Sequence, residues 1–379
     1  MSDKATQSDL PIEVVEHVLD QLRGDAKTLA ACCRVCSAWY PRARYDLYSV
    51  VDLDAENSTK FYETVVRDPS VASFMREFTF YGIWSNLTPL EPAMPLYTTG
   101  LQILRLRFVD VEKNPWLSMI MHHATRSITK LGLHHCFVDD VPGLMHLLAG
   151  LPNLKHFAAA EMFINARPDE ATYRVTDFPK LQSLCLVGFG SLPLRLVRAF
   201  LAAQGMGSLL ALHLQLSMGE LPEFGRLLER VASTLYHLDL TVVPDDAHLD
   251  PDSFPLSLHT CLRLGSLSLS IRLCPPKPVP SPPTHLFWVP RLLDTVRSQH
   301  IRQIKLAVRA TGATAQDLDN LDWHAVERVL AKARFASLRR VVVTIARGGG
   351  LEQNAVPYVG ERLAALDKRG ILRCVQTDI

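Results

Sequence analysis

A short apolar pattern, L-x-x-L-x-L with other apolar side chains allowed, recurs along nearly all of this 379-residue chain. Clear copies stand at Leu101-Leu104-Leu106, Ile128-Leu131-Leu133, Leu154-Phe157-Ala159, Leu181-Leu184-Leu186 and Leu209-Leu212-Leu214. They continue at Leu235-Leu238-Leu240, Leu264-Leu267-Leu269, Ile301-Ile304-Leu306 and Leu338-Val341-Val343. Weaker copies precede them at Tyr48-Val51-Leu53 and Met75-Phe78-Phe80, and a degraded one lies near Leu372-Val375. Successive copies begin 26–29 residues apart as far as Leu264 and 34–37 apart thereafter. Self-similarity at such a period marks units that cannot bury an apolar face alone and must stack on their neighbours.

Each unit has the same internal order. Alternation of apolar and polar residues predicts a short strand, and a helical stretch follows. Helices are expected at 116–126, 194–204, 223–233, 286–299, 323–334 and 359–368, with Pro115, Pro193, Pro222 and Pro357 at or just before such starts. One strand and one helix per unit resembles the leucine-rich repeat of the ribonuclease-inhibitor type. That resemblance implies a curved α/β solenoid with a parallel sheet on its concave face. This chain departs from the family three residues after the last Leu. Asn or Cys is usual there, whereas this chain has Cys136 in one unit but Val109, Phe189, Ser217, Val243 and Arg309 in others. The array is therefore read as irregular. A doubly wound α/β fold is the structural alternative, and the regular step argues against it. The longer steps have a visible cause in CPPKPVPSPP (274–283), whose prolines force an extended surface loop. The Gly348-Gly349-Gly350 run lacks the Lys-Ser/Thr of a phosphate loop and reads as a turn.

The stretch LPIEVVEHVLDQLRGDAKTLAACCRVCSAW (10–39) is different in kind. Val14, Val15, Val18, Leu19 and Leu22 fall on one helical stripe, with Glu13, Glu16, Asp20 and Gln21 on the other face. Gly24 ends this helix and Asp25 is placed to cap the next. Leu29, Cys32, Cys33 and Cys36 form a second stripe, which Trp39, Ala43 and Leu47 continue past Pro41, where the helix breaks or a third begins. So few residues cannot close a core unaided, and the surplus apolar surface must meet something else. The order Leu10, Pro11, Glu13, Val14, Val15, Val18, Leu22, Leu29, Val35, Cys36 and Trp39 resembles an F-box. Pro41, Arg44, Leu47 and Tyr48 continue the likeness toward F-box proteins of fungi. The link 23–27 departs from the family, which more often has a proline or a simple acidic turn there.

That resemblance implies a substrate receptor of an SCF-type cullin–RING ubiquitin ligase. The chain would dock the Skp-family adaptor, and through it a cullin, by Leu10, Pro11, Ile12, Val14, Val15, Val18, Leu29 and Val35. Of these, Leu10, Pro11, Val14 and Val18 are expected to face the partner, and Trp39 and Leu47 to face inward. The expected organisation is a flexible tail at 1–9, an F-box at 10–48 and a leucine-rich-repeat-like solenoid of about 11–12 irregular units at 49–379. The alternative is an interaction scaffold whose helical module only caps the solenoid.

Composition narrows the rest. The net charge is +1 and 48% of residues are apolar, which fits a large core and argues against nucleic-acid or membrane-surface partners. No apolar run reaches membrane-spanning length, and MSDKATQSD has no apolar core of a signal peptide. The eight cysteines lie inside apolar patterns and read as free thiols, which suggests a reducing cytoplasmic or nuclear compartment. Cys33-x-x-Cys36 has no second pair at zinc spacing. By letter alone, Asn86-Leu87-Thr88 is a glycosylation sequon that a cytosolic or nuclear chain would not use. His122-His123, on an expected helix, and His134-His135-Cys136, on an expected strand, come nearest to a ligand cluster, but neighbouring strand residues point to opposite faces, so these histidines are not expected to be metal ligands. Asp139-Asp140 and Asp245-Asp246 read as solvated loop carboxylates. No hydrolase, metalloprotease, dinucleotide or complete phosphate-loop motif is present. No enzyme activity, cofactor or metal is expected.

The positions between the leucines offer a surface instead. Across the units they include Glu77, Thr79 and Tyr81, then Ile103, Arg105 and Arg107, then Lys130, Gly132 and His134, then His156. Arg105, Arg107, Lys130, His134 and His156 make this early part basic. An acidic or phosphorylated segment of a target protein is expected to dock near Arg105 and Arg107, because guanidinium pairs well with such anions.

Overall fold

The structure is a computed structural model that describes residues 11–54, 56–82, 99–111, 113–114, 122–164, 178–188, 192–203, 206–243, 254–273, 286–311, 315–348 and 355–378. It divides into two compact units, Met1–Val138 and Asp139–Ile379. Leu10, the Asn86 sequon, most of the expected 116–126 helix, Asp245-Asp246, the 274–283 proline loop and Gly349-Gly350 lie outside the described residues.

The first unit begins with three helices, α1 (Ile12–Gln21), α2 (Ala26–Cys32) and α3 (Tyr40–Ser49). Pro41 stands in the first turn of α3, so it starts a third helix, where its missing N–H costs nothing. Gly24 closes α1 in the left-handed region (φ 92°), a conformation open to glycine but not to most residues. The Asp25 carboxylate then accepts a hydrogen bond from the Thr28 amide at 3.0 Å, capping α2. α3 runs directly into strand β1 (Val50–Leu53). Two helices not singled out in the sequence follow, α4 (Ser58–Arg67) and α5 (Ser70–Phe74). Strands β2 (Glu77–Tyr81), β3 (Ile103–Arg107) and β4 (Lys130–His134) complete this unit. All three pairings from β1 to β4 are parallel, and Val51, Phe78, Leu104 and Leu131 stand opposite one another in turn.

The second unit repeats the scheme. Helix α6 (Val141–Ala149) precedes strands β5 (His156–Ala160) and β6 (Ser183–Val187). Then come α7 (Leu192–Ala202), β7 (Ala211–Ser217), α8 (Leu221–Val231), β8 (His237–Val243) and β9 (Ser266–Leu273). The unit closes with α9 (Trp288–Thr295), β10 (Gln303–Thr311), α10 (Trp323–Leu330), β11 (Arg340–Gly348), α11 (Ala355–Arg362), α12 (Ala364–Lys368) and β12 (Leu372–Asp378). Strands β5 to β12 pair in chain order, all parallel. Their register does not slip: Phe157, Leu184, Leu212, Leu238, Leu267, Ile304, Val341 and Leu372 form one row.

This register explains the repeat. The second and third apolar positions of each clear copy occupy alternate strand residues and are buried, so they line one face of the sheet. It also corrects the last copy. Leu372 stands opposite Val341 and Cys374 opposite Val343, so the repeat there reads Arg369-Leu372-Cys374. Val375 falls on the other face.

Helix bounds differ from expectation where local chemistry intervenes. The 286–299 helix stops at Thr295, because Val296 is extended. The buried Ser298 hydroxyl then donates to the carbonyls of Leu262 and Leu264 at 2.9 and 2.8 Å, which holds the chain in a non-helical path. The 323–334 helix ends at Leu330, and a short 3-10 turn (Ala333–Phe335) follows. Gly265 has a packing reason to be glycine: a Cβ there would lie 2.2 Å from the Tyr236 ring. Among the described residues no helix is long and apolar enough to cross a membrane.

Asp140 is not a free loop carboxylate. It accepts from the Gly143 amide at 2.6 Å and caps α6. Asp140→Ala is expected to destabilise the chain by about 1 kcal/mol, the usual worth of an N-cap. Chemical denaturation of the two proteins checks this.

Candidate docking faces

The helical stripe on α1 divides. Val15 and Leu19 point inward and form a buried cluster with Leu29, Cys32 and Ala43, and Leu22, Cys33, Trp39 and Leu47 pack against it. Val14 and Val18, one turn apart on α1, are 45% and 46% exposed, and Ile12 and Pro11 are exposed too. Val35, in the link between α2 and α3, is 59% exposed. Two of the expected docking residues instead lie inside the helical cluster. Val15 and Leu29 are 4% and 1% exposed, so in this chain they shape the helices from within. Val14 and Val18, expected to face the partner, form the exposed edge of the stripe, and Val15 falls on its inner edge.

A charged lattice fixes how α1 meets α3. The Asp46 carboxylate is fully buried, with Arg23 Nε at 3.0 Å and Arg42 Nε at 2.9 Å. Arg42 also pairs with Asp20. The hydrogen bond from Arg42 holds the Asp20 carboxyl below its ordinary value, and the positive charges of Arg42 and Arg23 act in the same direction. The signal available in the sequence was Asp46 itself, a carboxylate three residues after Ala43 on a stripe otherwise apolar. Farther along α3, Arg44 pairs with Asp68 and lies 5.5 Å above the Phe74 ring, which ties the helices to the α4–α5 connection.

The face of the sheet opposite the leucines is the second candidate. In the first unit, register sets Glu77, Ile103 and Lys130 in one row, Thr79, Arg105 and Gly132 in the next, and Tyr81, Arg107 and His134 in the third. Arg105, Arg107, Lys130 and His134 thus share one face, as expected. Their charge is partly engaged already. Arg105 Nη1 donates to Glu77 Oε2 at 3.0 Å, and the Arg107 guanidinium lies 5.1 Å from the Tyr81 ring centre. His156 opens β5 in the second unit, where it stands beside Ser183.

In the second unit the same face carries the row Cys185, His213, Asp239, Ser268, Lys305. His213 Nδ1 lies 3.1 Å from Asp239 Oδ2. Partial burial pushes the Asp239 carboxyl up, but the hydrogen bond and charge of His213, with help from Ser268 and Lys305, outweigh it and hold the group below its ordinary value. A depressed folded value means that the ionised form stabilises the fold. That contribution is present above about pH 4, the unfolded value, and is lost as pH falls through the folded one. Asp239→Asn is expected to lower the melting temperature at neutral pH and to leave a shrinking difference below pH 4, in thermal melts run side by side. Burial pushes the Cys185, Cys261 and Cys374 thiols up to about 11, so none is a ready nucleophile. The cysteines among the described residues are free.

With this geometry in place, comparison with known families gives one result. Residues 7–53 match the F-box-like family. The match is wider at both ends than the expected 10–48 and includes α1 to α3 and strand β1. No curated protein matches the chain. The chain therefore carries an F-box-like domain followed by an α/β region built on parallel strands.

Proposed function

We propose that this chain is a non-catalytic substrate receptor of an SCF-type ubiquitin ligase, working in the cytoplasm or nucleus. The exposed apolar residues of α1, with Val35, dock the Skp-family adaptor, and the α/β region holds a target protein. The observation that carries the reading is the divided stripe. Val15 and Leu19 hold the helices together, while Val14 and Val18 sit in water beside them at a real cost in exposed apolar area. In a domain matching the F-box-like family, that surface has an adaptor as its natural occupant. The mechanism is positioning, which raises the effective concentration of target lysines at the ligase.

The α/β region is read as a leucine-rich-repeat-like solenoid, supported by the parallel strands and unslipping register within each unit. Arg105, Arg107, Lys130, His134 and His156 belong to its target-facing side in this reading. A second reading, in which the helices cap the repeats, draws on the direct run of α3 into β1 and the Arg44–Asp68 pair. The two roles use opposite sides of the helices. Affinity capture with mass spectrometry, comparing the native chain with a Val14→Glu, Val18→Glu variant, tests the proposal. The adaptor and cullin should be recovered with the first and lost with the second.

A further inference from the structure

The early basic patch is partly neutralised within the chain, and a second basic cluster is not. Lys305, Arg309, Arg340 and Arg373 are all exposed. Register places them on the last three strands. Lys305, Val342 and Arg373 share one row, Arg340 stands beside Gln303 in the row before it, and Arg309 stands beside Ala346 farther along β10. Their strand positions alternate with Ile304, Leu306, Val341 and Val343, which are buried, so all four project from the face opposite the core. Strand spacing of about 4.8 Å and rise of about 3.3 Å per residue confine them to a patch roughly 10 Å by 20 Å.

No ion pair engages any of the four among the described residues. No carboxylate occupies that face on β9, β10 or β11, where the other described positions are Ser, Gln, Ala, Thr, Val and Gly, with a further cation, Arg272, beside Arg309 on β9. The nearest acid along the Lys305 row is Asp239, two strands away, which feels the Lys305 charge but is hydrogen-bonded to His213. By contrast, carboxylates compensate the cations of the Asp46 and Asp294 clusters. Four like charges left unpaired on a small-residue surface favour an anionic occupant.

We infer that the polar face of β10–β12 binds an acidic or phosphorylated polypeptide segment, with Lys305, Arg340 and Arg373 as its main contacts and Arg309 at one end. This inference rests on the reading of that face as the target surface. A polypeptide fits better than nucleic acid: no aromatic side chain stands at a described position of this face for bases to stack on, and the net charge of the chain is only +1. Flat, small neighbours such as Ser268, Ala307 and Thr344 leave room for an extended backbone between the cations.

The test uses the full chain and a fluorescein-labelled decapeptide of alternating phosphoserine and glycine, with the unphosphorylated peptide and a ten-nucleotide oligo-dT as controls. Fluorescence anisotropy should show binding of the phosphopeptide that weakens with added salt. A Lys305→Gln, Arg340→Gln, Arg373→Gln variant should bind at least about tenfold more weakly, since hydrogen bonds to charged groups are worth roughly that factor each. An Arg105→Gln, Arg107→Gln variant should lose less, because Glu77 and Tyr81 already engage those groups. Equal binding by the triple variant, tighter binding of the oligonucleotide, or no phosphopeptide binding by the native chain would overturn the inference. Adaptor capture by the triple variant is read separately and should be unchanged. Its loss with native phosphopeptide binding retained would count against the ligase reading and not against this site.

Discussion

Val14→Glu with Val18→Glu is expected to abolish adaptor binding while the chain stays folded. Both side chains are nearly half exposed in the isolated protein, so neither change opens a cavity. Glutamate has a better helix propensity than valine, and position 14 lies in the first turn of α1, where a negative charge is favoured by the helix dipole. Stability should therefore move by no more than about 0.5 kcal/mol. Buried in an interface, each carboxylate would lose its water without gaining a partner, at a cost of roughly 2 kcal/mol or more per site. The pair should weaken binding at least about 100-fold. Titration calorimetry gives the affinity and urea denaturation the stability. The contrasting change is Leu19→Ala, at a fully buried site, which should cost about 2–5 kcal/mol and weaken binding only through loss of the fold. A large stability loss from the glutamate pair would instead mean that these valines pack against the chain itself, as a simple cap requires.

The largest expected stability effect lies in the second unit. Trp323 begins α10, is 2% exposed and donates from Nε1 to the Leu318 carbonyl at 2.7 Å. Trp323→Ala removes a large buried ring and the shorter of two hydrogen bonds to that carbonyl, leaving it only the Leu321 amide at 3.3 Å, and the expected cost is about 3–5 kcal/mol. Because the residue stands on α10, the loss should appear in denaturation of the chain while adaptor binding at the folded N-terminal helices persists. A cost near 1 kcal/mol would mean that the site collapses around the gap, contrary to close packing of α10.

Much of this fold is legible as periodicity. Every clear copy of the apolar pattern lands on a strand, because side chains alternate across a sheet and only one parity can be buried. The pattern fails at its last copy for the same physical reason. Near the final strand several residues of either parity are apolar, and only hydrogen-bonded register shows that Leu372 and Cys374, and not Val375, continue the buried rows. The docking helix was legible as an amphipathic stripe with Val14 and Val18 on its outer edge, but the inner place of Val15 was not. Inside and outside are decided by where α2 and α3 pack, which assigns Val15 and Leu29 to the core. Charge was least legible. The Arg23–Asp46–Arg42–Asp20 lattice joins residues far apart in sequence, and whether Arg105 is free depends on Glu77 one strand away. The cluster at Lys305, Arg340 and Arg373 is likewise invisible until register sets the three side by side.

The proposed receptor role requires α1 to present its outer edge to an adaptor. Hydrogen–deuterium exchange of the full chain, alone and with the purified Skp-family adaptor, addresses that surface directly. Protection is predicted over residues 11–22 and around Val35, with exchange at 303–311 and 340–348 unchanged. A complex that leaves 11–22 unprotected, or no complex at all, would contradict it.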